Sequence, residues 1–246
     1  MMSQNYIAII LLSFLSAVST LLGIFLAFFC KESKKKIALG IGFSVGIMLL
    51  ISFFELIPES IKLSSVLNTF LALISGAFFI FILDYIFSHT HFIEEKGKLN
   101  WRIKAAYLVA IGIILHDFPE GFALANSYIL APTLGILVAI SIALHNFPEE
   151  FVMAVPLVIA KNKKRLIQLG IISALAEPFG AVVGLVAVSV VPKFNPFFVA
   201  FAAGCMIFIS VHELYPMAKR YRKPIYFIFG FIFSIFVYIG LNLFLK

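Results

Sequence analysis

Two stretches decide how this chain reads: His116-Asp117-Phe118-Pro119-Glu120-Gly121 and His145-Asn146-Phe147-Pro148-Glu149-Glu150. Each lies inside a long apolar run, where an ionisable side chain is expensive and points to function. Both follow the pattern His-polar-Phe-Pro-Glu. On a helix, His116 and Glu120 stand one turn apart on the same face, as do His145 and Glu149; Asp117 and Asn146 sit three positions before their glutamates, on the flank of that face. Two such copies bring together two imidazoles, two carboxylates and two further oxygen donors. That set suits a divalent metal held inside a membrane. Each proline removes a backbone hydrogen bond and pushes away the carbonyl four residues earlier, that of Leu115 or Leu144. A carbonyl freed in hydrocarbon must find protein, water or an ion. The helices are therefore expected to be discontinuous at mid-membrane, a device by which transporters build ion sites.

Composition sets the surroundings. Of 246 residues, 62% are hydrophobic and 13% charged, and the mean hydropathy is +1.08. This is an all-α polytopic membrane protein rather than a soluble domain. Eight apolar runs, approximately 6–30, 37–58, 67–88, 103–127, 133–160, 166–191, 196–217 and 224–245, each reach the roughly 20 residues needed to span, within a single transmembrane domain over 1–246. Met1 to Asn5 carries no basic residue, so the first run reads as a retained helix rather than a secretion signal. Cys30 and Cys205 have no pairing logic and read as packing residues.

The net charge of +7 is explained by its distribution and does not point to nucleic acid. Sixteen of the nineteen Lys and Arg residues fall in alternate loops, around 31–36, 96–104, 161–165 and 219–223. By the positive-inside rule those loops are cytoplasmic, both termini lie outside and the number of spans is even.

The remaining polar residues in the spans fall at matching depths. Span two carries Gly42 and Gly46 in GxxxG spacing, then Met48 as a thioether ligand, gate or plain core residue, and Glu55 as an outer-vestibule carboxylate. Asp84 ends span three near the cytoplasmic face, ahead of a His89-Thr90-His91 loop with Glu94 and Glu95. The short connection at Pro132 makes spans four and five antiparallel neighbours, so their motifs can meet. Glu150 is an extra carboxylate that could bind a second ion, accept a proton or bond a neighbouring helix. Glu177, again beside a proline, lies at the depth of the motifs and is the natural additional ligand; Gly180 and Gly184 follow it. His212 and Glu213 in span seven match Asp84 in depth, and the three form an inner relay, an exit site or a hydrogen-bond network. Span eight is rich in Phe and expected to face lipid or a partner subunit. Eight of the twelve acidic residues fall within spans, so protons or bound cations must neutralise them.

Imidazole with carboxylate and amide oxygen suits Zn²⁺, Fe²⁺, Mn²⁺ or Co²⁺; Mg²⁺ and Ca²⁺ prefer all-oxygen shells. Bridging by Glu120 and Glu149 would permit two ions roughly 3.5–4 Å apart, and protons would compete with metal for the same groups. A membrane metalloprotease would show HExxH, which is absent, and five histidines are few for a membrane di-iron oxidase. The expectation is a transporter with no catalytic cofactor.

The paired HxFPE motifs on adjacent membrane helices resemble those of the ZIP (Zrt/Irt-like) family of divalent-metal transporters, and the brevity of the cytoplasmic loops is similar to its bacterial zinc-uptake, ZupT-type branch. The resemblance spans the whole chain. It implies movement of Zn²⁺, with Fe²⁺, Mn²⁺, Co²⁺ and Cd²⁺ as further candidates, into the cytoplasm of a bacterium across its inner membrane. It also implies a mid-membrane, binuclear-type centre made of His116, Asp117, Glu120, His145, Asn146, Glu149, Glu177 and Met48. Asp84, His212 and Glu213 would line the inner path and Glu55 the outer. A 3+2+3 arrangement with an inverted repeat is implied too, with an elevator-like shift of helices one, four, five and six against the other four, in a homodimer. Two residues depart from the family pattern: Asp117 stands where Asn is common, and Glu150 where Gly is usual.

Overall fold

The computed structural model describes residues 2–29, 33–87, 99–159 and 163–245; Cys30, the His89-Thr90-His91 loop, Glu94 and Glu95 lie outside them. Among the described residues there is no strand. In chain order the helices are α1 Met2–Ala27, α2 Lys34–Ile51, α3 Ile57–Leu63, α4 Val66–Phe87, α5 Leu99–Leu130, α6 Pro132–Ile159, α7 Lys163–Val190, α8 Asn195–Ile209, α9 Tyr215–Arg220 and α10 Pro224–Leu245. Seven stretches among the described residues are long and apolar enough to cross a membrane: Asn5–Ala27, Lys34–Leu63, Val66–Ile86, Pro132–Val152, Gly170–Val190, Pro192–Arg220 and Pro224–Leu245. They answer to seven of the eight runs expected from sequence. The other run falls in α5, 32 residues long, which carries the first motif.

The breaks expected at the motif prolines do not occur. Pro119 and Pro178 sit inside unbroken α5 and α7, and α6 passes through Pro148. Around Pro148 neighbouring groups add bonds to the motif turn. Ser19 of α1 donates to the Ala143 carbonyl, Ser44 of α2 donates to the His145 carbonyl at 2.9 Å, and His145 Nδ1 faces the Ser141 carbonyl at 2.9 Å. These bonds brace the turn on either side of Leu144, whose carbonyl Pro148 leaves without its helical donor.

The interruptions lie elsewhere. α2 runs into α3 through the wide turn Ser52–Leu56, closed by Ile57 N–H on the Ser52 carbonyl. α8 runs into α9 through Ser210–Leu214, closed by Tyr215 N–H on the Ser210 carbonyl. Each bond reaches back five residues, the mark of a π turn, a feature often found at functional sites. The two turns share one sequence, Ser-x-x-Glu-Leu-x-Pro, at 52–58 and 210–216. Proline lacks the N–H needed to continue the α ladder, and both copies widen just before it.

Four close helix pairs organise the packing: α1 with α6, α2 with α10, α4 with α8 and α5 with α7. Glycine makes these approaches possible. A carbon added at Gly121 would run into the Glu177 carbonyl, and one at Gly180 into the Phe118 carbonyl, so α5 and α7 cross with their backbones in contact. That crossing sets Glu177 beside the first motif. Gly23 gives the same closeness between α1 and Phe147 of α6, and Gly76 and Gly204 between α4 and α8. Ile37, Ile41, Ile47, Met48 and Ile51 of α2 are fully buried, whereas α10 turns Phe229, Phe233, Phe236 and Phe244 outward.

Gly180→Val should separate α5 from α7 and lower stability by about 1–3 kcal/mol, the usual cost of overpacking. Gly240→Ala, where an added carbon meets nothing within 4 Å, should be neutral or slightly stabilising. Thermal melts in detergent check both.

Candidate metal centre

The two motif helices are joined by a single residue, Ala131, and pack against each other. Their one-turn spacing therefore aims both His–Glu pairs into the space between them. Glu120, His145 and Glu149, all buried, present ligand atoms that lie within 4.8 Å of one another, a group able to hold a metal ion. His145 Nε2 stands 3.1 Å from Glu120 Oε1. Because His145 Nδ1 faces the Ser141 carbonyl, which can only accept, Nδ1 carries the hydrogen and a neutral ring leaves Nε2 as a bare lone pair. That lone pair faces a carboxylate oxygen, and a proton or a bound cation between them makes the contact favourable. In a tetrahedral site with metal–ligand bonds near 2.0–2.1 Å, two ligand atoms lie roughly 3.3 Å apart. The observed separation fits.

Asn146 closes the set. Its Nδ2 donates to Ser16 Oγ at 3.2 Å and to Glu177 Oε2 at 3.3 Å. The other amide atom stands 3.0 Å from Glu120 Oε2 and 3.1 Å from His145 Nε2. As an oxygen it adds one more acceptor to the cluster; turned over, the amide would donate there instead and accept from Ser16. Glu149 Oε2 and Glu177 Oε1 are buried without hydrogen-bond partners, further lone pairs in the same region of the protein.

His116 lies between two carboxylates, with Nδ1 3.1 Å from Glu149 Oε1 and Nε2 2.9 Å from Glu213 Oε2. A neutral imidazole has one N–H. One of the two contacts therefore opposes two acceptors unless the ring is protonated or a cation intervenes. Glu213, expected on the inner path, thus touches a motif histidine directly. The next residue back, His212, turns the other way: it is 49% exposed, stacks on Phe208 with centroids 4.6 Å apart, and places Nδ1 3.8 Å from Asp84 Oδ2. The π turn at Ser210–Leu214 is what lets consecutive residues face the centre and Asp84.

The other expected residues have partners of their own. Met48 is fully buried and its sulfur accepts from Ser210 Oγ at 3.6 Å, tying α2 to the second π turn. Glu55 accepts from Tyr238 at 2.6 Å and from Asn242 at 3.0 Å. Sequence reasoning missed these two partners, because α10 has no Asp, Glu, His, Lys or Arg to draw attention to it. Asp117 turns its carboxylate to Ser173 of α7, at 2.6 Å. The repeated Ser-x-x-Glu-Leu-x-Pro was a readable sign of Glu213's special position.

Comparison with known proteins agrees with this geometry. A family profile described as "ZIP Zinc transporter" matches residues 88–241. Among similar curated proteins, the zinc transporter ZupT of Chlorobium luteolum is 36% identical over 244 residues, covering 89% of this chain and 91% of its own. The zinc transporter ZupT of Streptococcus mutans is 34% identical over 250 residues, covering 94% and 95%. That of Corynebacterium aurimucosum is 36% identical over 239 residues, covering 89% of both.

His145→Ala and Glu120→Gln should each weaken Zn²⁺ binding by more than the roughly 10–100-fold that loss of a supporting residue costs, while Glu213→Gln should fall within that range. Isothermal titration of the purified chain measures all three.

Proposed function

Since the chain belongs to the ZIP zinc transporter family, we propose that it carries divalent transition-metal cations, zinc first, across the bacterial cell membrane into the cytoplasm through the buried Glu120–His145–Glu149 centre. Iron, manganese, cobalt and cadmium are secondary cargoes on the same donor chemistry. One observation carries the reading: the His145 Nε2 lone pair is aimed at Glu120 Oε1 across 3.1 Å in a fully buried site. A resident structural ion would also satisfy such a site. Transport is favoured by the line of ionisable groups leading from it, Glu149 to His116 to Glu213, with His212 and Asp84 on the other side of the same π turn.

On this reading α5 is the eighth span and both termini lie outside. The helix contacts support an inverted repeat. Let the first three spans (α1, α2 with α3, α4) exchange with the last three (α7, α8 with α9, α10) while α5 exchanges with α6. The pair α1–α6 then becomes α7–α5, α2–α10 becomes α8–α4, and α2–α6 becomes α8–α5, and each of these pairs is in contact. The matching π turns also exchange with each other. Glu120, His145, Glu149 and Glu177 all lie on α5, α6 and α7, which pack with α1 as one block. A shift of that block against α2, α4, α8 and α10 would carry the ion with its ligands, and a homodimer would anchor the second block. Met48, Glu55, Asp84 and Glu213 would act as contacts made and lost along the way.

In proteoliposomes the wild-type chain should accumulate Zn²⁺, and Glu120→Ala or Glu149→Ala should reduce uptake to that of empty vesicles. Undiminished uptake by those variants would refute the assignment.

A further inference from the structure

α2 and α10 begin at the same end of the bundle, because they run side by side in one direction: Phe43 packs on Phe233, and further along Glu55 meets Tyr238 and Asn242. α9 ends there too, shortly before α10 opens at Pro224. Aromatic rings and lysines join the three. Lys35 Nζ lies over the Tyr226 ring, 5.4 Å from its centroid, and Lys219 Nζ over the Tyr215 ring at 4.5 Å. The Tyr215 and Phe227 rings pack with centroids 5.6 Å apart.

The charge gathered at this end is of one sign. Lys34, Lys35, Lys36, Lys219, Arg220 and Arg222 are exposed, and Lys223 is half-buried. Residues 33–54 and 214–246 contain no Asp or Glu; Glu32 lies outside the described residues. The first turn of α2 holds lysines and no acidic side chain, the reverse of what the helix dipole favours. Topology asks for basic residues in each of these two segments, but not that segments so far apart in sequence share one surface. Like charges brought together by folding repel one another and gain from an anion they can share. Within two turns of them, α10 turns Ile225, Ile228, Phe229 and Ile232 outward, and Leu39 of α2 is exposed as well.

We propose that this surface binds an anionic phospholipid, its headgroup held by the cations of α2 and of the α9–α10 turn and its acyl chains lying along the exposed apolar residues of α10. A soluble anion would use the cations alone. The apolar flank beside them, with tyrosines of the kind that mark a membrane interface, is what selects a lipid. On the orientation proposed above the lipid belongs to the cytoplasmic leaflet, but its binding does not depend on that orientation. α9 follows the π turn that carries His212 and Glu213, so a headgroup shared between α9 and α2 would hold the far end of that turn in place.

Native mass spectrometry of the delipidated full-length chain in detergent tests the surface, with phosphatidylglycerol or phosphatidylcholine of the same acyl chains as the added lipid. Wild type should retain phosphatidylglycerol about tenfold or more tightly than phosphatidylcholine. The double variants Lys35→Gln with Lys36→Gln, and Lys219→Gln with Arg220→Gln, should each weaken phosphatidylglycerol retention by about tenfold and leave phosphatidylcholine unchanged. Lys62→Gln with Lys193→Gln, which removes two cations from the opposite end, should change neither. All of these side chains are exposed, so the variants should fold, and elution profiles check that they do. Equal retention of the two lipids by wild type overturns the proposal, as does an equal loss in the variant of the opposite end. Displacement of phosphatidylglycerol by glycerol 3-phosphate would assign the surface to a soluble phosphate, and displacement by poly-glutamate to an acidic protein segment; either result also overturns it. No readout involves zinc, so absent Zn²⁺ uptake in vesicles would count against the proposed function and leave this surface standing.

Discussion

The structure depends on one constraint: carboxylates and imidazoles buried against one another, with no lysine or arginine in residues 105–160 or 166–192 to neutralise them. His145 Nε2 faces Glu120, His116 lies between Glu149 and Glu213, and Asp117 and Glu150 share Ser173. A carboxylate buried without a positive partner is strongly unfavourable, and a net hydrogen bond returns only about 0.5–1.5 kcal/mol, so hydrogen bonding between neutral groups alone does not hold such a cluster together. Positive charge does, from protons on these groups or from bound cations. The glycine crossings serve this arrangement. By letting α5 and α7 touch at Gly121 and Gly180, they shut lipid and bulk water away from the carboxylates, which is what makes the demand for a cation acute.

The serines around the centre do a second job. Ser16, Ser19 and Ser44 reach into the second motif from α1 and α2 and bind Asn146, the Ala143 carbonyl and the His145 carbonyl. They brace the ligand-bearing turn of α6 on either side of Leu144. Their small size matters as much as their hydroxyls, because the helices lie too close for longer polar side chains.

Much of this was legible in the sequence. The i, i+4 spacing of His116 with Glu120 and of His145 with Glu149 fixed which side chains share a face, and the alternation of basic loops and apolar runs fixed the helical class. The all-α expectation and seven of the spans rest on hydropathy alone. The continuity of α5, α6 and α7 through their prolines was not legible, because a proline alone does not say whether a helix kinks or opens, and the bonds that brace the turn at Pro148 come from helices distant in sequence, such as Ser44 on α2. Depth along a span did not reveal which neighbour each polar residue meets. Counting residues at 1.5 Å per position sets His212 and Glu213 level with Asp84, and His212 does lie beside Asp84, but Glu213 meets His116. Asp117 illustrates a different limit. Helical spacing puts it on the flank of the ligand face, and a flanking side chain is claimed by whichever neighbour offers the better partner, here Ser173.

The two Ser-x-x-Glu-Leu-x-Pro turns bear on how a site so hungry for cations could release one. A helix that must move against another without losing its backbone bonds needs a place where the ladder can change register, and a π turn ahead of a proline is such a place. Each turn ends in a fully buried leucine, Leu56 or Leu214, and begins with a fully buried serine, so packing pins both ends while the glutamate between them carries the charge. Glu213 competes with any ion for His116, and Glu55 is held by Tyr238 and Asn242 of α10. On the proposed path, an ion approaching either glutamate meets a carboxylate whose present partner is a neutral or titratable group that it can displace. On that proposed path, exchange of partners, rather than the opening of a tight cage, would let a buried divalent ion keep moving.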